Sequence, residues 1–132
     1  MSAEEICLNL DGLCARYGWE MARQAHKVLN KNAENHITKS LGVLQEDGVY
    51  AFFLYQQSRK PEKPGAEPLE DARALLEAAG IKPFDTIQEP LEALRDRSRG
   101  LANDLDQLLL AKQLLEQALI YARYHAKVLE GE

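Results

Sequence analysis

From Leu101 to Leu129 the chain runs twenty-nine residues without Gly or Pro, and apolar side chains recur at steps of three and four. Leu101, Leu105, Leu108, Leu115, Leu119, Ala122, Ala126 and Leu129 form one row, with Leu110, Leu114, Ala118 and Tyr121 beside it. That period predicts a helix roughly 40 Å long. A helix apolar over so much of its circumference needs cover from several sides. It is therefore expected to be the central C-terminal helix, with shorter helices packed around it.

The same period marks the first half of the chain. Residues 2–10 predict a short helix capped by Ser2, with Asp11-Gly12 as a break before a second helix. From Leu13 to Leu29, Cys14, Tyr17, Met21, Ala25, Val28 and Leu29 share a face. Arg16, Glu20, Arg23, Lys27 and Lys31 lie opposite, and Gly18 is a weak point in the helix interior. After a polar turn at Lys31–Asn35, Ile37, Leu41 and Leu44 predict a helix over 36–48, stopped by Asp47-Gly48. The run VYAFFLYQQS, 49–58, is strand-like in composition but has no strand-like partner, so it is read as a buried helix.

Residues 59–68 hold three Pro, one Gly and three basic residues and predict an exposed, mobile loop. A helix from Pro68 to Ala79 follows, ended by Gly80, with Ala72, Leu75, Leu76 and Ala79 inward. A turn around Pro83 leads to a polar helix from about Thr86 to Arg99. The expectation is an all-α, single-domain antiparallel bundle of five or six helices spanning 1–132.

Composition narrows this picture. With 45% hydrophobic residues, the chain can bury a core. The net charge of −5 argues against a general nucleic-acid-coating protein. The charge is uneven: residues 1–63 hold eight basic and eight acidic side chains, residues 64–132 eight and thirteen. Cys7 and Cys14 stand two helical turns apart, about 10 Å, too far for a disulfide on one helix. No run approaches the ~20 apolar residues of a membrane span, and the N-terminus is acidic where a signal peptide is basic. A cytoplasmic protein with reduced cysteines is expected.

Chemistry is sparse. Glu89, Glu92 and Asp96 would share one face of the polar helix and so offer carboxylates to a hard cation such as magnesium, as in helical nucleotide pyrophosphohydrolases. A second acidic motif is lacking unless Asp104 and Asp106 supply it, and Arg95, Arg97 and Arg99 would pair with the acids. His26, His36 and His125 are scattered, with no HExxH, CxxC or phosphate loop. No catalytic set, metal site or cofactor is assigned. Cations are more suggestive: Arg16, Arg23, Lys27, Lys31 and Lys39 in the first half, and Lys112, Arg123 and Lys127 interleaved with Tyr121 and Tyr124. Local basic faces on an acidic protein can contact phosphates, and aromatics can stack on bases.

Three segments in order resemble one family, the small (fifth) subunit of the type III-B CRISPR Cmr effector complex. Met21–Leu29, MARQAHKVL, is similar to the family's opening helix, with His26 where an aromatic is commoner. Ser40–Arg59 resembles its apolar helix, Asn-Gly turn and Ala-Phe-Leu helix, with Asp47-Gly48-Val49 and Ala51-Phe52-Phe53-Leu54 in those places. Leu115–Leu129 resembles its C-terminal helix at Tyr121, Arg123 and Ala126. The small subunit of the type III-A complex is a related possibility.

The resemblance implies a non-catalytic helical protein that stacks on itself and on larger subunits of an RNA-guided antiviral complex. Basic faces of such subunits line the channel holding target RNA beside the crRNA. On this reading the RNA-contacting residues expected here are Arg16, Arg23, Lys27, Lys31, Lys39, Arg123 and Lys127, joined in one positive strip if the helices pack antiparallel. The alternatives are a stand-alone helical interaction or dimerisation module, and a metal-dependent phosphohydrolase using the acidic face.

Overall fold

The computed structural model describes residues 3–59, 69–84, 86–87 and 89–131. All its regular structure is helical, and among the described residues there is no strand. The described residues form six α-helices: α1 Ala3–Leu29, α2 Ala33–Asp47, α3 Val49–Arg59, α4 Leu69–Ala78, α5 Pro90–Arg95 and α6 Leu105–Glu130. Short 3-10 turns, Asn30–Asn32 and Leu101–Asn103, precede α2 and α6. The expected loop lies outside the described residues except for Arg59, which ends α3.

The long C-terminal helix is central, as its broad apolar surface requires. Ala111, Leu114, Leu115, Ala118, Leu119, Ala122 and Ala126 of α6 are buried, and α1, α2, α3 and α4 all pack against it. Its first turn differs from expectation. Asp104 is the N-cap, its carboxylate accepting the Gln107 N–H at 3.2 Å, so Leu101 falls in the preceding 3-10 turn and Leu105 is 66% exposed.

The predicted break at Asp11-Gly12 is absent, and α1 is one helix of 27 residues. A single interior glycine costs only about 1 kcal/mol, which packing along the rest of the helix outweighs. Gly18, expected to be a weak point, is the place of closest approach to α6. A Cβ there would lie 2.6 Å from the Ala118 carbonyl oxygen and 2.9 Å from Tyr121 Cβ. Small residues on both sides, Gly18, Ala22 and Ala25 against Ala118 and Ala122, bring the two backbones together.

These two helices run in the same direction. The Cys14 thiol donates to the Leu114 carbonyl at 3.4 Å, Gly18 meets Ala118 to Ala122, and Trp19 meets the ring of His125 edge-on at 5.1 Å. The antiparallel order expected of the bundle therefore does not extend to its central pair. Adjacent helices on short connections are constrained to turn back, but α1 and α6 are joined through the whole intervening chain. The phenol of Tyr121 adds a hydrogen bond to Asp11 Oδ1 at 2.6 Å.

The second half of the core is aromatic. Run 49–58 is helical as expected, and Phe52, Phe53 and Gln56 are buried while Tyr50 and Leu54 stay exposed. Phe53 packs on Phe52 at 5.2 Å and on Phe84 at 6.0 Å. Phe84 comes from the turn after α4, where Ile81 and Ile87 are also buried. Gly48 (φ +97°) and Gly80 (φ +80°) end α2 and α4 in the positive-φ conformation that glycine adopts without strain.

Candidate nucleic-acid interface

The acidic face expected over 86–99 is not formed, because the helix there has only six residues, Pro90–Arg95. Glu89 is its N-cap. The Glu89 carboxylate accepts the N–H groups of Leu91 at 3.0 Å and Glu92 at 2.7 Å, and the Gln57 amide at 3.0 Å. Burial pushes its pKa up, but these hydrogen bonds more than compensate, leaving it below the usual glutamate value. Asp96 lies beyond the helix and holds the next turn. The N–H groups of Arg99 and Ser98 donate to it at 2.9 and 3.0 Å and hold it below the usual aspartate value. Two of the three carboxylates thus satisfy backbone donors at helix and turn ends. Among the described residues no three His, Cys, Asp or Glu side chains converge as a metal would need.

The cations fall into groups on different sides of the bundle. Arg16, Arg23 and Lys27 are exposed along one face of α1. Gly18, on the other face, presses on α6, so this row points away from the central helix. Arg23 is ion-paired with Glu20 at 2.7 Å, which leaves Arg16 and Lys27 without a carboxylate partner among the described residues. Lys127 stands nine positions from Ala118, about 180° around α6 at ~100° per residue, and pairs with Glu34 of α2 at 3.5 Å. The single positive strip expected from an antiparallel bundle is therefore divided between α1 and the far side of α6.

On α6 the cations frame an aromatic ring. Tyr124 is 56% exposed, with the Arg123 guanidinium 5.6 Å and the Lys127 ammonium 5.8 Å from its ring centroid. Such a ring offers a stacking surface, and cations beside it suit a negatively charged strand. Tyr121 does not share this role, since its phenol is engaged by Asp11.

Lys31 and Lys39 are exposed near the two ends of the first turns of α2, and Lys39 has company the sequence did not reveal. It lines a recess of about 300 Å³ with Leu29, Asn32, Asn35, His36 and Arg59. His36 is only 4% exposed, and neither ring nitrogen has a hydrogen-bond partner among the described residues. Burial, then the positive charges of Arg59 and Lys39, push its pKa down to about 4, so the ring is neutral. The clue was the step His36 to Ser40, both buried beside the Ile37–Leu41–Leu44 stripe. Arg59 was hidden by being counted with the loop.

Comparison of the chain with protein-family models, with curated proteins and with solved structures gives no match. No helix among the described residues is long and apolar enough to cross a membrane.

Proposed function

We propose that this chain is a non-catalytic small subunit of a type III CRISPR RNA-guided effector complex, contacting target RNA and neighbouring subunits in antiviral defence. The observation that carries this reading is the exposed Tyr124 ring framed by Arg123 and Lys127 on the long helix. The all-α bundle and the three resembling segments agree with it. Those segments form the last third of α1, the second half of α2 with α3, and the C-terminal part of α6, and these helices pack on one another. Phosphate contacts of this kind give affinity independent of sequence, as suits a complex in which base pairing reads the target.

The test is the combined change Lys27→Gln, Arg123→Gln, Tyr124→Ala in the complex purified with its natural partners. None of the three takes part in a carboxylate ion pair among the described residues, so folding should be kept. RNA affinity should fall, and the slope of log affinity against log salt should drop by roughly 0.7 for each phosphate no longer neutralised. Unchanged affinity and slope in a complex that still contains the subunit would reject the RNA surface. Failure to copurify with any nucleic-acid complex would favour a stand-alone interaction module, a reading to which the exposed Leu105 and Leu109 on α6 lend some weight.

A further inference from the structure

We propose that the recess formed by Asn32, Asn35, His36, Lys39 and Arg59 is a binding site for a phosphate-class oxyanion. Three elements converge there: the 3-10 turn after α1, the first turns of α2 and the last residue of α3. All the charge they bring is positive. Lys39 and Arg59 have no carboxylate partner among the described residues, and no Asp or Glu lines the recess. The one acid in the first turn of α2, Glu34, is engaged by Lys127.

Two donor side chains at the recess lack an acceptor among the described residues. Arg59 leans over the Tyr55 ring at 5.7 Å, and its Nε is buried without a hydrogen-bond partner. His36 also lines the recess, and neither of its ring nitrogens, one of which carries an N–H in the neutral imidazole, has a hydrogen-bond partner among the described residues. A buried donor without an acceptor is destabilising, so a small turn of either side chain toward a bound oxyanion would be favoured. Asn32, the N-cap of α2, makes no side-chain capping bond, so its amide is not committed to the helix. The N-terminal end of a 15-residue helix adds the positive end of its dipole. The volume admits a phosphate together with its ester substituents or hydrating water.

The site does not depend on the proposed function, although a free phosphate ester and an RNA phosphodiester offer it the same oxygens. The experiment is side-chain nitrogen NMR of the histidines in the full chain at pH 7, titrated with inorganic phosphate at ionic strength held constant with chloride. The His36 ring signals, assigned by their loss in His36→Gln, should move saturably. In Lys39→Gln, an exposed position whose change spares the core, the midpoint should rise about tenfold or more, and likewise in Arg59→Gln. No saturable movement, the same movement with chloride alone, or unchanged midpoints in both variants would overturn the site. A single-stranded oligoribonucleotide that displaces the phosphate assigns the site to an RNA backbone. One that leaves it bound assigns the site to a free phosphate ester.

Discussion

Replacing Gly18 by alanine sets two physical effects against each other. Helix propensity alone favours alanine by about 1 kcal/mol in a helix interior. At Gly18, however, the new methyl would sit 2.6 Å from the Ala118 carbonyl oxygen and 3.2 Å from the Ala122 nitrogen. Ordinary contacts between heavy atoms lie at about 3.5–4.0 Å, and backbone atoms of a packed helix cannot swing aside. The helices must separate, loosening Met21, Ala22 and Ala25 along the same face, all buried to within 1%. Overpacking of this kind costs about 1–3 kcal/mol, so Gly18→Ala is expected to be destabilising despite its better propensity. Gly12→Ala is the control. It lies in the same helix, is exposed, and has nothing within 4 Å of the added carbon. It should stabilise by up to about 1 kcal/mol. Urea titration at constant m reads the difference, expected at about 2 kcal/mol. A Gly18→Ala protein as stable as its parent would refute the close approach of α1 and α6.

Acid and base limbs of stability should separate by substitution. His36 stays neutral down to about 4 when folded but takes a proton near its ordinary 6.5 when unfolded, so stability falls as pH drops through that window. Asp71 behaves oppositely: burial, then Glu20, raises it from 3.8 to about 6, so stability falls as pH climbs between those values. His36→Leu should flatten the acid-side loss, and Asp71→Asn should stabilise by about 1–3 kcal/mol at pH 7.5 and by nothing below pH 3.8, both read by thermal melts across pH. Gln56 is fully buried with neither amide atom hydrogen-bonded among the described residues, so Gln56→Met should raise the melting temperature. No gain would place an acceptor or donor against that amide. Removing the α5 cap with Glu89→Ala should cost about 1 kcal/mol in the same melts, and a neutral result would deny Glu89 its capping role.

Apolar periodicity made most of the helices legible. Ile37–Leu41–Leu44, Ala72–Leu75–Leu76 and, on α6, Leu114, Leu115, Ala118, Leu119, Ala122 and Ala126 are inward as their spacing predicts, whereas Leu105 of the same row is exposed. Tertiary effects account for the failures. Asp11-Gly12 reads as a break, yet α1 continues through it because packing on α6 holds the helix on both sides. Glu89 and Asp96 read as one charged face because spacing cannot distinguish a helical carboxylate from one that caps a helix or closes a turn. The Asp96-Arg97-Ser98-Arg99 run did carry the signal, since Asp two and three residues before free N–H groups favours such turns. The candidate sites were the least legible part. Arg123, Tyr124 and Lys127 follow from local helical spacing, but the recess joins His36 to Arg59 across two helices, a pairing no local pattern encodes.

The parallel pairing of α1 with α6 also governs the order in which this chain can acquire structure. Cys14 meets Leu114 across 100 positions of sequence, and Asp11 meets Tyr121 across 110. At a synthesis rate of about 5–20 residues per second, the ribosome must work for roughly 5–20 s between making one partner and the other. During that interval the Met21–Ala25 face has no α6 to cover it, and α2 has only part of its eventual support. Helical bundles usually fold quickly because their contacts are local, but here the decisive contacts bear the loop-closure cost of distant pairing. The long last helix is therefore the latch of the fold, and a nascent chain lacking it is the species most exposed to aggregation or capture by chaperones.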